Sequence, residues 1–188
     1  MYEQKIKNYI NKEIEVLKRL DVSSINSVMT ALADAYNANG NIYIFGNGGS
    51  ASTASHFQND FNKGISERLE KKFNFVCLSD NVPTVMAIAN DSGYEYIFEY
   101  QLHGKLKKND LVIAISGSGN SENVIRAVRY AEEQGIKTIG ITGYDGGKLA
   151  KIVDVSFNVP VDDMQITEDI HLILDHLMMS IFMGKGKL

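Results

Sequence analysis

Cys77 is the only cysteine in this 188-residue chain, so no disulfide can form within it, and a reducing compartment fits. Its setting in the Phe75–Leu78 stretch reads as a buried strand, which makes it a small core residue rather than a nucleophile. A basic excess is missing too. Against 23 Asp and Glu stand 19 Lys and Arg, for a net charge of −4 with no basic block, which argues against nucleic acid as a partner. No apolar run reaches the roughly 20 residues a membrane-spanning helix needs. The opening MYEQKIKNYINKE is too charged for a signal peptide. The expectation is a cytoplasmic protein with no membrane partner. There is also no internal repeat and no linker. Residues 1–188 therefore read as one domain, with a helical segment over 1–38, an α/β core over 39–165 and a C-terminal helix over 166–184. A hydrophobic fraction of 44% at this length supports a sizeable core.

What the chain does have is concentrated in residues 41–63. Ile42 to Phe45 carry strand character and run into Gly46-Asn47-Gly48-Gly49-Ser50, after which a helical segment begins. A strand, a glycine-rich turn and a helix N-terminus make an anion site, because the turn lets backbone N–H groups face inward and the helix dipole adds positive charge. His56 and Asp60 follow at a spacing that puts them one turn apart on one helix face. By itself such a pair is more often a surface ion pair than a site.

On either side of this stretch the pattern alternates. Ile6, Ile10, Ile14, Leu17 and Leu20 recur at helical spacing, and a second helix is expected over 25–36. The apolar stripe of these N-terminal helices suits a subunit interface, since the core has helices of its own. Strands are expected over 75–78, 111–115, 138–141 and 153–159. Helices are expected over 83–89, 96–106, 122–134 and 166–183, with residues 184–188 a frayed tail. Such alternation implies a three-layer α/β sandwich around a mostly parallel sheet.

The segment LVIAISGSGNSENVIRAV repeats the first design of apolar strand, small-residue loop and helix start. Ser116, Ser118 and Ser121 offer hydroxyl donors there. Ligands of open α/β sheets bind beyond the carboxyl ends of the strands, so two such loops should line one crevice. Neither loop matches the dinucleotide fingerprint or the lysine-bearing nucleotide loop, which leaves a monophosphate as the better ligand.

GNGGSASTASHF, AIANDSGY, ISGSGNS, TGYDGG and a late helix with two histidines together resemble the sugar isomerase (SIS) family, and within it the sedoheptulose 7-phosphate (phosphoheptose) isomerases. The likeness spans nearly the whole chain. It implies a homotetramer with active sites between subunits. It implies aldose–ketose isomerisation of a seven-carbon sugar phosphate through an enediol, assisted by a metal ion, usually zinc. The family's metal positions fall on His56, Asp60, Glu168 and His176, with Asp60 and His176 in the proton-transfer roles. Phosphate and sugar contacts fall on Asn47, Gly48, Gly49, Ser50, Ser116, Ser118 and Ser121, with Asp91 near the sugar. The resemblance also allows a non-catalytic regulator that binds a phosphosugar or a protein, or an isomerase of another phosphosugar.

The chain departs from the family pattern around the reacting sugar. Asp60 stands where the family has Glu, Glu168 where it has Gln, and Gly117 where it usually has Thr. Gln165-Ile166 replace an Asp-Arg pair. In an unbroken helix Glu168 would lie about 12 Å along the axis from His176, so one ion could join both only through irregular backbone or a second subunit. His171 is read as structural, paired with Glu168 or Asp175, and His103 as structural or interfacial. Met178, Met179 and Phe182 are read as packing residues.

Overall fold

In the computed structural model, which describes residues 1–184, five strands form one all-parallel sheet. They are β1 (Ile42–Gly46), β2 (Phe75–Cys77), β3 (Leu111–Ser116), β4 (Lys137–Gly143) and β5 (Val155–Val159), in the spatial order β2-β1-β3-β4-β5. The helices are α1 (Glu3–Leu17), α2 (Val22–Asn37), α3 (Gly49–Asn59), α4 (Val82–Asp91), α5 (Glu99–Leu102), α6 (Glu122–Glu133), α7 (Leu149–Ile152) and α8 (Met164–Phe182). Parallel strands need crossovers, and helices in the crossovers cover both faces of the sheet, so the inner strands read as continuous apolar runs. β1 and β3 are buried along their whole length.

Side-chain alternation along the strands divides the core in two. Ile42 and Ile44 of β1, with Leu111, Ile113 and Ile115 of β3, pack under α2, α3 and α8. Tyr43 and Phe45, with Val112 and Ala114, pack under α4, α5 and α6. Chain order and spatial order part company between β1 and β3. The helix after β1 goes to one face of the sheet and the helix after β3 to the other, so the loops leaving these neighbouring strands splay apart. This is the topological switch point at which open α/β sheets carry their ligands.

Several elements differ from their expected bounds. α2 begins earlier, because the Asp21 side chain caps it by accepting from the Ser23 N–H at 2.9 Å. α2 lays Ile25, Val28, Leu32 and Ala35 into the core rather than on the surface, whereas α1 keeps Ile6, Tyr9, Ile10 and Ile14 exposed. The helix expected over 96–106 is only α5, preceded by a 3₁₀ turn at Tyr94–Tyr96, because the backbone turns extended at His103 (ψ 123°). α7 occupies residues expected as irregular chain. α8 starts at Met164, capped by Asp163, and is unbroken to Phe182. Met178 is buried, with Met179 and Phe182 packed partly against the same core. Residues 185–188, most of the expected frayed tail, lie outside the described residues.

Candidate active site

The first constituent of the site is the crevice at the switch point. Asn47, Ser50, Ile115, Ser116, Gly117, Ser118, Ser121, Met164 and Glu168 line a pocket of about 170 Å³. The chain can turn from β1 into α3 this sharply because Gly48 takes φ +53°, a conformation that only glycine adopts without strain. Ser50 is buried in the first turn of α3. The Ser116 and Ser121 hydroxyls lie 3.4 Å apart, both beside the loop after β3. Asn47 is fixed by a reciprocal amide pair with Asn123, 2.9 Å in each direction, and its Oδ1 also accepts from the Tyr94 hydroxyl at 2.9 Å. Serine hydroxyls from the loop after β3 and the start of α3 thus converge on one space, an arrangement suited to a phosphate.

At the far end of α3 stands the second constituent. His56 and Asp60, from the last turn of α3 and just beyond it, meet Asp175 and His176 of α8. The two Nε2 atoms are 3.1 Å apart, with the imidazoles edge to face at 69°. Asp60 Oδ2 lies 3.4 Å from His56 Nε2 and 3.9 Å from His176 Nε2, and Asp175 Oδ2 lies 3.9 Å from His56 Nε2. Asp60 is held from behind, its Oδ1 accepting from Asn59 Nδ2 at 3.0 Å. The histidines are half exposed while both carboxyls are shielded, the side chain of Asp175 completely. Burial first, and the neighbouring Asp60 second, push the Asp175 carboxyl up to about 8. One donor atom from each of the four residues falls within 4.8 Å of all the others, so the cluster is able to hold a divalent metal ion.

Two sequence-assigned residues are not brought together with these groups. Glu168 lines the serine pocket, and its carboxyl rests so close to the start of α3 that a Cβ on Gly49 would collide with it. Because α8 is regular from Met164, eight residues separate Glu168 from His176 by about 12 Å. Within the chain Glu168 is therefore a pocket residue and not a member of the metal cluster. Asp91 ends α4, accepts from Asn90 Nδ2 at 2.7 Å and borders a separate hollow with Thr84, Ile88 and Tyr100. His171 is structural as expected, but its partner differs. Its Nε2 lies 3.0 Å from the Thr142 carbonyl of β4, and burial lowers its pKa to about 4. His103 is a surface residue beside Glu99 and Tyr130. Cys77 is buried, which pushes its thiol up to about 12.

Asp175 was not among the expected site residues. Its one signal in the sequence is an acid lodged among the buried positions Ile170, Leu174 and Met178, where an unpaired carboxyl is costly. A second unforeseen feature is the π-helical turn over Asp60–Ile65, which continues α3 with a wider backbone ladder. Such turns interrupt helices frequently at functional sites, and this one begins at Asp60.

Comparison with known proteins agrees with this architecture. The SIS domain family model matches residues 5–143, which defines the chain as a SIS-domain protein. The phosphoheptose isomerase of Helicobacter pylori strain Shi470 is 36% identical over 173 residues, 92% of this chain and 87% of that one. The phosphoheptose isomerase of Thermodesulfovibrio yellowstonii is 37% identical over 180 residues, 94% and 89% of the two chains. The solved structure of the Neisseria gonorrhoeae phosphoheptose isomerase superposes with a TM-score of 0.89 at 29% identity, covering 97% of this chain and 98% of that one. The chain belongs to the phosphoheptose isomerase family and is a sugar-phosphate isomerase.

Proposed function

We propose that the protein interconverts sedoheptulose 7-phosphate and D-glycero-D-manno-heptose 7-phosphate through an enediol, as a zinc-assisted cytoplasmic homotetramer. The observation that carries this reading is the spacing of the two constituents along one pair of helices. Ser50 and His56 are six residues apart on α3, and Glu168 and His176 eight apart on α8, which is about 9 and 12 Å along the axes. An extended seven-carbon sugar spans roughly 10 Å from its first carbon to a phosphorus on its last, at about 1.25 Å per bond. A phosphate seated among Ser50, Ser116, Ser118 and Ser121 would therefore present C1 and C2 to Asp60 and His176.

Isomerisation needs one group to carry a proton between the two carbons and another to carry one between the two oxygens. Asp60 takes a proton from C1 of the ketose and returns it to C2. With its Nε2 turned to the ion, His176 would use its other ring nitrogen, giving O2 the proton it acquires and taking the one that leaves O1. Seated in the pocket and facing the two residues in turn, the sugar needs no large movement between steps. His56, Asp60 and His176 would hold the metal ion, which when bound polarises the carbonyl and stabilises charge on the enediol oxygens. The exposed stripe of Ile6, Ile10 and Ile14 on α1 supports association of subunits.

The reading is tested by incubating the protein with a panel of phosphoketoses and phosphoaldoses in deuterated water and following label at C1 and C2. Exchange and conversion with sedoheptulose 7-phosphate are expected. Exchange with none of the panel would overturn it, and conversion of a different phosphosugar alone would replace the substrate.

A further inference from the structure

Among the described residues, Asp175 is a carboxyl that the protein around it leaves unsupported. Its side chain is completely buried, yet neither oxygen has a hydrogen-bond partner among the described residues. A buried carboxylate without partners is strongly disfavoured, and a neutral carboxyl in the same place still lacks an acceptor for its O–H. His171, one turn before it on α8, does not help. Its Nε2 is engaged by Thr142 and its Nδ1 is itself without a partner. The open direction for Asp175 is toward His56, Asp60 and His176.

We infer that Asp175 is a direct ligand of the divalent ion, completing with His56, Asp60 and His176 a two-histidine, two-carboxylate site that Glu168 of the same chain does not reach. The inference rests on the metal-assisted reading above and adds a ligand to it, with the substrate oxygen entering as a fifth. Tetrahedral coordination at about 2.0–2.1 Å places neighbouring ligand atoms about 3.3–3.4 Å apart. The His56–His176 and His56–Asp60 separations of 3.1 and 3.4 Å already meet that, and the 3.9 Å separations need about half an ångström of closure. The remaining pairs lie within 4.8 Å. Two aspartates balance the two positive charges of the ion, so the filled site is electrically neutral where Asp60 alone would leave it cationic. Since His56 and Asp60 come with α3 and the other two with α8, the ion would also bolt these helices together.

The test is metal retention, read separately from turnover. Wild-type, Asp175→Asn and Glu168→Gln proteins are loaded with zinc, titrated against a competing chelator, and loaded in parallel with Co²⁺ for its visible absorption, with circular dichroism as the check on folding. Wild type is expected to hold one ion per chain with the intense bands of four-coordinate cobalt. Asp175→Asn should weaken retention by at least about 100-fold and change the band shape, since even partners outside the ligand shell cost 10–100-fold. Glu168→Gln should hold the ion as wild type does. Unchanged affinity and spectrum in a folded Asp175→Asn protein would overturn the assignment, as would equal weakening by Glu168→Gln or a wild-type protein that takes up no ion. Should Asp175→Asn fail to fold, Asp175→Glu keeps the carboxylate and is expected to retain metal with shifted cobalt bands; loss of the ion there in a folded protein counts against the inference. The isomerase reading stands or falls on deuterium exchange instead, so either result can fail without the other.

Discussion

The serine pocket and the His/Asp cluster occupy opposite ends of the same two helices, yet they are made in different ways. The pocket is local. Its hydroxyl donors come from the segments just after β1 and β3, each folding next to its own strand. The cluster is non-local, with His56 and His176 separated by 120 residues in sequence and joined only when α8 packs on α3. Local turns hold a ligand in place, whereas long side chains on rigid helices can be aimed at a reacting bond. The division also sets which kinetic constant each end should govern.

The largest expected effect lies at the cluster. Asp60→Asn and His176→Ala should each lower kcat by about 10²–10⁴-fold with little change in KM, the usual worth of a positioned acid or base. A loss appearing mainly in KM would erase the contrast between the two ends. Next is the spacer between them. His171 on α8 anchors the helix to the β4 carbonyl of Thr142, and its folded-state pKa of about 4 lies below its ordinary 6.5. The unfolded chain therefore binds this proton first as pH falls. The contribution of His171 to stability is complete above about pH 6.5, declines as pH drops toward 4 and levels off below it, by about 3 kcal/mol in all. Denaturant melts across that range on wild type and His171→Gln should differ in this slope. A smaller effect is expected at the pocket. Ser50→Ala or Ser116→Ala should raise KM by about tenfold at nearly constant kcat, about 1.4 kcal/mol for one hydrogen bond to a charged phosphate. Smallest is Glu168→Gln, which removes a negative charge from the pocket. It should lower KM a few-fold, by less at high salt, because half-exposed charges are screened.

This same contrast explains what could be read from the sequence. The alternating apolar runs determine the parallel sheet, and the two small-residue loops after β1 and β3 announce the pocket, because strands and turns are encoded by neighbouring residues. Ser50, Ser116, Ser118 and Ser121 could be placed together by that logic. His56 and Asp60 could be paired by their spacing, and His176 joined them only through family resemblance. Asp175 escaped because its place among the core-facing positions of α8 signals burial but not which groups it meets; its neighbours are decided by packing. The resemblance assigns Glu168 to the ion, and within one chain the unbroken run of α8 places it at the pocket. The short α5 shows the other limit, where the chain leaves the helix at His103 although the surrounding residues favour its continuation.

The wide turn at Asp60–Ile65 has a consequence for what kinds of change this segment can absorb. A π-turn houses one residue more than the α-helical turn it replaces, and each residue of a helix is worth about 100° of rotation. Phe61 and Ile65 behind it are fixed in the core, and the glycine loop fixes α3 ahead of it. The count of residues between those anchors thus sets the direction in which His56 and Asp60 point. Exposed positions such as Lys63 should accept many substitutions, whereas the loss or gain of a single residue between the glycine loop and Phe61 would turn the reactive pair away from α8.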